Sequence, residues 1–224
     1  MIADLSKAIA QLSDPKLRNA IILSVIASLI LIAAFGFLAW LLVGALSNFG
    51  WDWVNELVAW LGAIAVVVIA LIFFPSAANV ISGLFLDQVA DAVDARHYPD
   101  MGPGRSTGVA EAIAGSLRLL LIAVVLNLLA LPIYLLLPGI NLVLFYGLNG
   151  YLLGREFFEA VAQRRLDAKE ARTLRKRNRI RSLSAGVVIA FLATIPIVNL
   201  TVPVLATAFM VHVVRRLLPG GNPA

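Results

Sequence analysis

Apolar residues run through this chain in long blocks, and charged residues are confined to a few places between them. The first block, "NAIILSVIASLILIAAFGFLAWLLVGAL" from Asn19 to Leu46, has 28 residues. As a helix it would rise roughly 42 Å, enough to cross a hydrocarbon core of about 30 Å with tilt. "SDP" stands before it. Ser13 or Asp14 can cap the helix, and Pro15 suits the first helical position. Ahead of that, residues 1–18 read as a short amphipathic segment and not as a secretion signal. The second block, Val54 to Phe74, carries one charge, Glu56, at its start. Trp51 and Trp53 fit an aromatic belt at a membrane interface. A kink is expected at Pro75. Beyond it Ile81, Leu84, Phe85, Gln88, Val89 and Val93 recur at helical spacing, while Asp87, Asp91 and Asp94 share another face. The pattern predicts one long helix over 54–98 that runs on into water, followed by the loop "PDMGPGRSTG".

Two hairpins follow, over 109–163 and 182–216, separated by a basic helix over 164–181. Each turns on the same motif, "PGINL" at Pro138 and "PIVNL" at Pro196. Proline ends the preceding helix, and Asn141 or Asn199 can cap the next one. The arm 119–137 is long enough to span. The arms 140–154, 182–195 and 197–211 have only 14 or 15 residues, roughly 21 to 23 Å as helix, which is short of a full crossing. Two readings are open: the hairpins re-enter from one side, or they span and turn outside. The arm lengths favour re-entry, which requires protein or a watery cavity around the tips.

Composition changes the picture from helices in general to helices in lipid. The chain is 61% hydrophobic and 14% charged, where a soluble domain carries about a quarter charged residues. The expected fold is an all-α integral membrane protein with two long transmembrane helices and two embedded, re-entrant hairpins with Pro-x-x-Asn tips. The absence of cysteine excludes disulfides, thiol catalysis and cysteine metal sites. A net charge of +5 and a pI near 10 could suggest nucleic acid, but the excess is local. Residues 155–181 hold ten basic and four acidic residues, and the rest of the chain sums to −1. All 18 Lys and Arg lie within 7–18, 96–118, 155–181 and 215–216. The positive-inside rule then places the N-terminus in the cytoplasm and the Trp51 loop outside, with both hairpins entering from the cytoplasm and returning to it.

Three stretches carry a resemblance. "LFLDQVADAVDARHYP" from Leu84, "NGYLLGREFFEAVAQRR" from Asn149 and the turn at Pro196 resemble the CysZ-like sulfate permeases, a group that includes the eukaryotic etoposide-induced membrane proteins. The likeness extends over residues 5 to 216. It implies a bacterial inner-membrane protein of sulfate uptake, with two long transmembrane helices, two embedded hairpins and an oligomeric assembly. It also implies an anion site at a Gly-Leu-Arg type motif near the start of the first long helix. Here that stretch reads "DPKLRN": Leu17 and Arg18 agree, and Lys16 replaces the glycine. The substitution removes close backbone approach and adds a charge. Asp14 would compete with an anion for the same N–H groups.

The candidate substrate-binding residues are therefore Lys16, Leu17 and Arg18; the charges of Lys16 and Arg18 could equally serve topology and snorkel to headgroups. Candidate pore or gate residues are Asn141, Asn199, Asn127, and Arg155 with Glu159, four apart on one helix face. Asn127, inside an apolar arm, is expected to hydrogen-bond across helices. Glu111, Ser116 and Arg118 mark the cytoplasmic start of the same arm. Gly150 and Gly154 allow close helix approach. The basic stretch could bind anionic lipid, gather anions, or pair with Asp87, Asp91 and Asp94. His97 and His212 read as separate interfacial residues. No nucleotide-binding loop, catalytic triad, metal site or cofactor motif is present, so no enzyme is expected. The partners implied are sulfate or a similar oxyanion, membrane lipid and further copies of the chain. A transporter or channel leads; a non-transporting membrane scaffold is the alternative, favoured by how few polar residues the apolar arms contain.

Overall fold

The computed structural model describes residues 1–46, 51–102, 104–105, 109–136, 138–199 and 201–219. Some side chains within the long helices lie outside the described set, among them those of Pro75, Ile81, Leu84, Phe85, Glu111, Ser116 and Arg118. Every regular element among the described residues is helical. In chain order these are α1 (Ile2–Gln11), α2 (Pro15–Leu46), α3 (Asp52–His97), α4 (Val109–Leu136), α5 (Asn141–Gln163), α6 (Ala168–Arg177), α7 (Arg179–Ala193), α8 (Pro196–Asn199) and α9 (Val202–Arg215). Single 3₁₀ turns lie at Pro99–Met101 and Pro138–Ile140.

Local chemistry sets several of these boundaries. At the start of α2 the Asp14 carboxylate accepts the Lys16 N–H at 2.9 Å, so Asp14 is the cap. At α6 a full capping box forms. Asp167 accepts the N–H groups of Lys169 and Glu170 at 2.8 and 2.7 Å, and the Glu170 carboxylate accepts the Asp167 N–H at 3.1 Å. Asn178 then divides the basic stretch: its backbone leaves helical geometry and its side-chain amide donates back to the Leu174 carbonyl at 3.0 Å.

The hairpin tips differ from the capping expected of them. Neither Asn141 nor Asn199 is a cap: Ile140 and Thr201 hold those positions, and neither makes a side-chain capping bond. Asn199 instead ends the short α8, where its N–H donates to the Ile195 carbonyl at 2.8 Å. The second tip thus turns in two steps. Pro203 in the first turn of α9 has no N–H to leave unpaired there.

Residues Met1–Ile21 with Ser82–Ala224 form one compact unit, and Ile22–Ile81 form a second. The first is built around α9, in which Val202 and every residue from Val204 to Arg215 is buried. A helix apolar on all sides must be enclosed, and α1, α5 and α7 pack around it. The α5–α7 pair crosses on glycine. A Cβ on Gly186 would strike the Gly150 carbonyl and come within 2.5 Å of the Gly154 nitrogen. A Cβ on Gly154 would strike the Ser182 carbonyl, and the Ser182 hydroxyl donates to the Gly154 carbonyl at 3.0 Å. The close approach read from Gly150 and Gly154 is realised, with Ser182 and Gly186 as the facing small residues.

The second unit holds the greater part of α2 and the N-terminal part of α3. It exposes large apolar side chains, including Ile30, Phe37, Trp40 and Trp60. Trp51 and Trp53 stack with ring centroids 6.2 Å apart. Among the described residues, no helix is long and apolar enough to cross a membrane.

Candidate functional site

The C-terminal part of α3 places Asp87, Asp91 and Asp94 along one stripe, at intervals of four and three residues. Arginines from two segments converge on it. Arg164, just past α5, is almost wholly buried. Its guanidinium donates to the Asp87 carbonyl at 2.7 Å and to the Asp91 carboxylate at 2.5 Å. Arg165 reaches Asp94 at 3.1 Å and also donates to the carbonyls of Met101 and Gly102. Arg215, at the end of α9, grips both oxygens of Asp94 at 2.8 and 2.6 Å. Asp94 and Arg215 are both buried, so this fork-on-fork pair lies in a low-dielectric setting where each charge depends on the other. Gly104 completes the packing, since a Cβ there would meet the Arg164 guanidinium at 2.8 Å. Of the fates open to the basic stretch, pairing with the three aspartates is thus realised by Arg164 and Arg165.

Beside this cluster lies a second polar core that sequence reading misses. His212 and His97 are not separate interfacial residues. His212 is fully buried, and its ring lies edge-on to His97 with centroids 4.9 Å apart. The Tyr98 hydroxyl and His212 Nδ1 are 3.0 Å apart. Burial, with His97 as the next cause, pushes the His212 pKa down to about 4, while burial pushes the Tyr98 hydroxyl up to about 12. The protonated Tyr98 therefore donates, and neutral His212 accepts through Nδ1. The amphipathic α1 closes this end of the unit: Asp4 pairs with Arg216 at 2.9 Å and with the N-terminal ammonium at 2.7 Å, and the Gln11 amide donates to the Ala92 carbonyl at 3.2 Å.

The candidate anion residues sit at the start of α2. Leu17 is fully buried in the core, and Lys16 and Arg18 on either side of it are exposed. The N–H of Lys16 already binds Asp14, whose carboxylate also lies 3.8 Å from Arg96. Arg155 and Glu159 are brought together at 3.5 Å, and Glu159 also receives Arg175 at 2.8 Å and Arg172 at 3.9 Å. Glu159 thereby ties α5 to α6. Next to it Glu156 is pushed up to about 7 by burial. Arg155 lies at one end of a cavity of about 640 Å³ between α4 and α5, lined otherwise by residues such as Leu126, Ile140, Val143 and Tyr151.

Asn141 and Asn199 are not joined to these groups. The Asn141 side-chain oxygen is buried without a partner, and Asn199 is exposed. Asn127 does not bond across helices; its amide donates to the Ala123 carbonyl at 2.8 Å, one turn back on its own helix. Self-satisfaction of this kind frees a polar side chain from needing a neighbour in an apolar arm. Among the described residues, no hydrogen bond or ion pair links Lys16 or Arg18 to Arg155, Glu159 or the three asparagines. Also among the described residues, no group of three His, Cys, Asp or Glu could hold a metal ion.

Comparison with known proteins bears on what this helical assembly is. No curated protein matches the chain. The family model described as Sulfate transporter CysZ/Etoposide-induced protein 2.4 matches residues 4–203. That match runs from the α1 clamp through the aspartate stripe and the glycine crossing into the first turn of α9, and the chain therefore belongs to the sulfate transporter CysZ/etoposide-induced protein 2.4 family.

Proposed function

We propose that this protein is an inner-membrane transporter or channel for a tetrahedral oxyanion, sulfate first, with its N-terminus in the cytoplasm. The observation that carries the reading is the family match over residues 4–203. The exposed apolar side chains of the second unit support it, since Ile30 and Trp40 are 64% and 68% accessible where water would disfavour them and lipid would not. On this reading α2 and α3 span the membrane, and the hairpins α4–α5 and α7–α9 are embedded in it and re-enter from the cytoplasm. Further copies of the chain would enclose the tips, where the unpartnered oxygen of Asn141 calls for a donor.

The anion is met at the start of α2. Buried Leu17 fixes the helix end, so the exposed Lys16 and Arg18 are held on a rigid base. Because the Asp14 carboxylate occupies the Lys16 N–H, recognition falls to the two side chains and not to bare backbone amides. Arg155 with Glu159 would form the charged mouth of the path, and Asn127, Asn141 and Asn199 would lie along it. A non-transporting scaffold is favoured by one specific observation: Arg155 and Glu159 are already consumed in a network that joins α5 to α6.

Sulfate titration of the purified protein tests the site. Arg18→Ala is expected to weaken binding about tenfold, the loss of one charge-assisted contact. Unchanged affinity would remove Arg18 from the site.

A further inference from the structure

Between Arg155 and Arg181 the fold neutralises some arginines and leaves others. Arg155, Arg164, Arg165, Arg172 and Arg175 each lie within 4 Å of a carboxylate. Among the described residues, Arg177, Arg179 and Arg181 have no such partner, and all three are exposed. They are not scattered. They flank the break at Asn178 and, with Asn178, Met1 and Ser184, line a cavity of about 470 Å³. The helix α7 begins at this cavity. Its cap residue Asn178 turns its side chain to the Leu174 carbonyl, so the first-turn N–H groups of α7 receive no side-chain cap. Three arginines without a carboxylate partner and a helix start with no side-chain cap thus border one cavity.

A second observation says what fills it. Along the same stretch, α7 exposes Ile180, Leu183 and Phe191, at 76%, 41% and 55% accessibility. Spacings of three and eight residues keep them on one side of the helix. A ligand matching both features has an anionic head and long apolar tails.

We propose that the α6–α7 junction is a binding site for an anionic phospholipid, its phosphate held by Arg177, Arg179 and Arg181 and its acyl chains laid along Ile180, Leu183 and Phe191. Guanidinium suits this task because its planar fork bonds two phosphate oxygens at once. The site rests on the membrane placement proposed above and is independent of transport. It anchors the junction at the depth of the headgroups.

Native mass spectrometry of the full chain in detergent, titrated with phosphatidylglycerol, phosphatidylcholine or inorganic phosphate, tests the site. Phosphatidylglycerol is expected to stay bound while phosphatidylcholine does not, and inorganic phosphate at equal concentration is expected not to displace it. Loss of affinity should be about five-fold for Arg181→Gln and on the order of 100-fold for Arg177→Gln, Arg179→Gln and Arg181→Gln together. Removing the half-buried Lys7 and the exposed Lys169 should change it less than two-fold. Equal retention of the two lipids, displacement by inorganic phosphate, or undiminished binding in the triple variant would each overturn the proposal. Arg181→Lys keeps the charge without the fork and should fall between wild type and Arg181→Gln, which covers the case of a triple variant that does not fold. Sulfate titration of the same variants separates this site from the one at Arg18, and there they should match wild type.

Discussion

His212 is held neutral inside the first unit by burial, with the Tyr98 hydroxyl on one ring nitrogen and the other nitrogen unpartnered. Its folded pKa of about 4 lies below the ordinary 6.5, so the unfolded chain takes up the proton first as pH falls. Stability contributed by neutral His212 is therefore present above pH ~6.5 and lost as pH falls through the window down to about 4, on the order of 1–3 kcal/mol in all. His97 shifts in the same direction, through burial first and then Lys7 and Arg96. Glu156 opposes them, because a carboxyl raised to about 7 loses stability as pH rises from 4.5. The measurement is thus a difference: melting temperature against pH for wild type and His212→Gln, with a flatter acid limb expected in the variant. At the neighbouring pair, Asp94→Ala strands buried Arg215 and should cost about 3–5 kcal/mol in denaturant unfolding. Arg96→Ala removes only an exposed contact of 3.8 Å and should cost less than about 0.5 kcal/mol. Little of this was legible in the chain. Tyr98 and His212 lie 114 residues apart, and Asp94 and Arg215 lie 121 apart, so no local pattern links them. The aspartate stripe itself was visible, since its spacing is a property of one helix.

The elements were more legible than their contacts. Helices throughout the described residues follow from unbroken apolar blocks, and "SDP" narrows the cap of α2 to Ser13 or Asp14, of which Asp14 takes the role. The tips were misread because Asn in a Pro-x-x-Asn turn was assigned the usual cap role, whereas the extra short helix α8 moves Asn199 upstream of the next helix start. The glycine crossing was half visible. Gly150 and Gly154 announce a close approach, and "SLSAG" from Ser182 to Gly186 has the same small-residue spacing and could have named the partner. Gly186→Ala should destabilise the α5–α7 pair by about 1–3 kcal/mol, because backbone on α5 fills the space a methyl would need. Gly147→Ala on α5 meets nothing within 4 Å and should be neutral or stabilising by up to about 1 kcal/mol. Thermal unfolding in one detergent compares the two.

At the scale of the whole molecule, the proposed placement in the membrane rests on the distribution of charge. With no cysteine in the chain, Asn141→Cys and Asn199→Cys each introduce a single reporter thiol. Embedded, re-entrant tips predict slow and incomplete labelling of both by an impermeant thiol reagent applied to intact cells. Prompt, complete labelling from outside would instead make them ordinary surface turns. The most direct measurement of transport is uptake of radiolabelled sulfate into vesicles that contain only this protein. A sulfate transporter should give saturable uptake above protein-free vesicles, reduced by Arg18→Ala. Uptake no faster than in protein-free vesicles would show that this protein does not carry sulfate by itself.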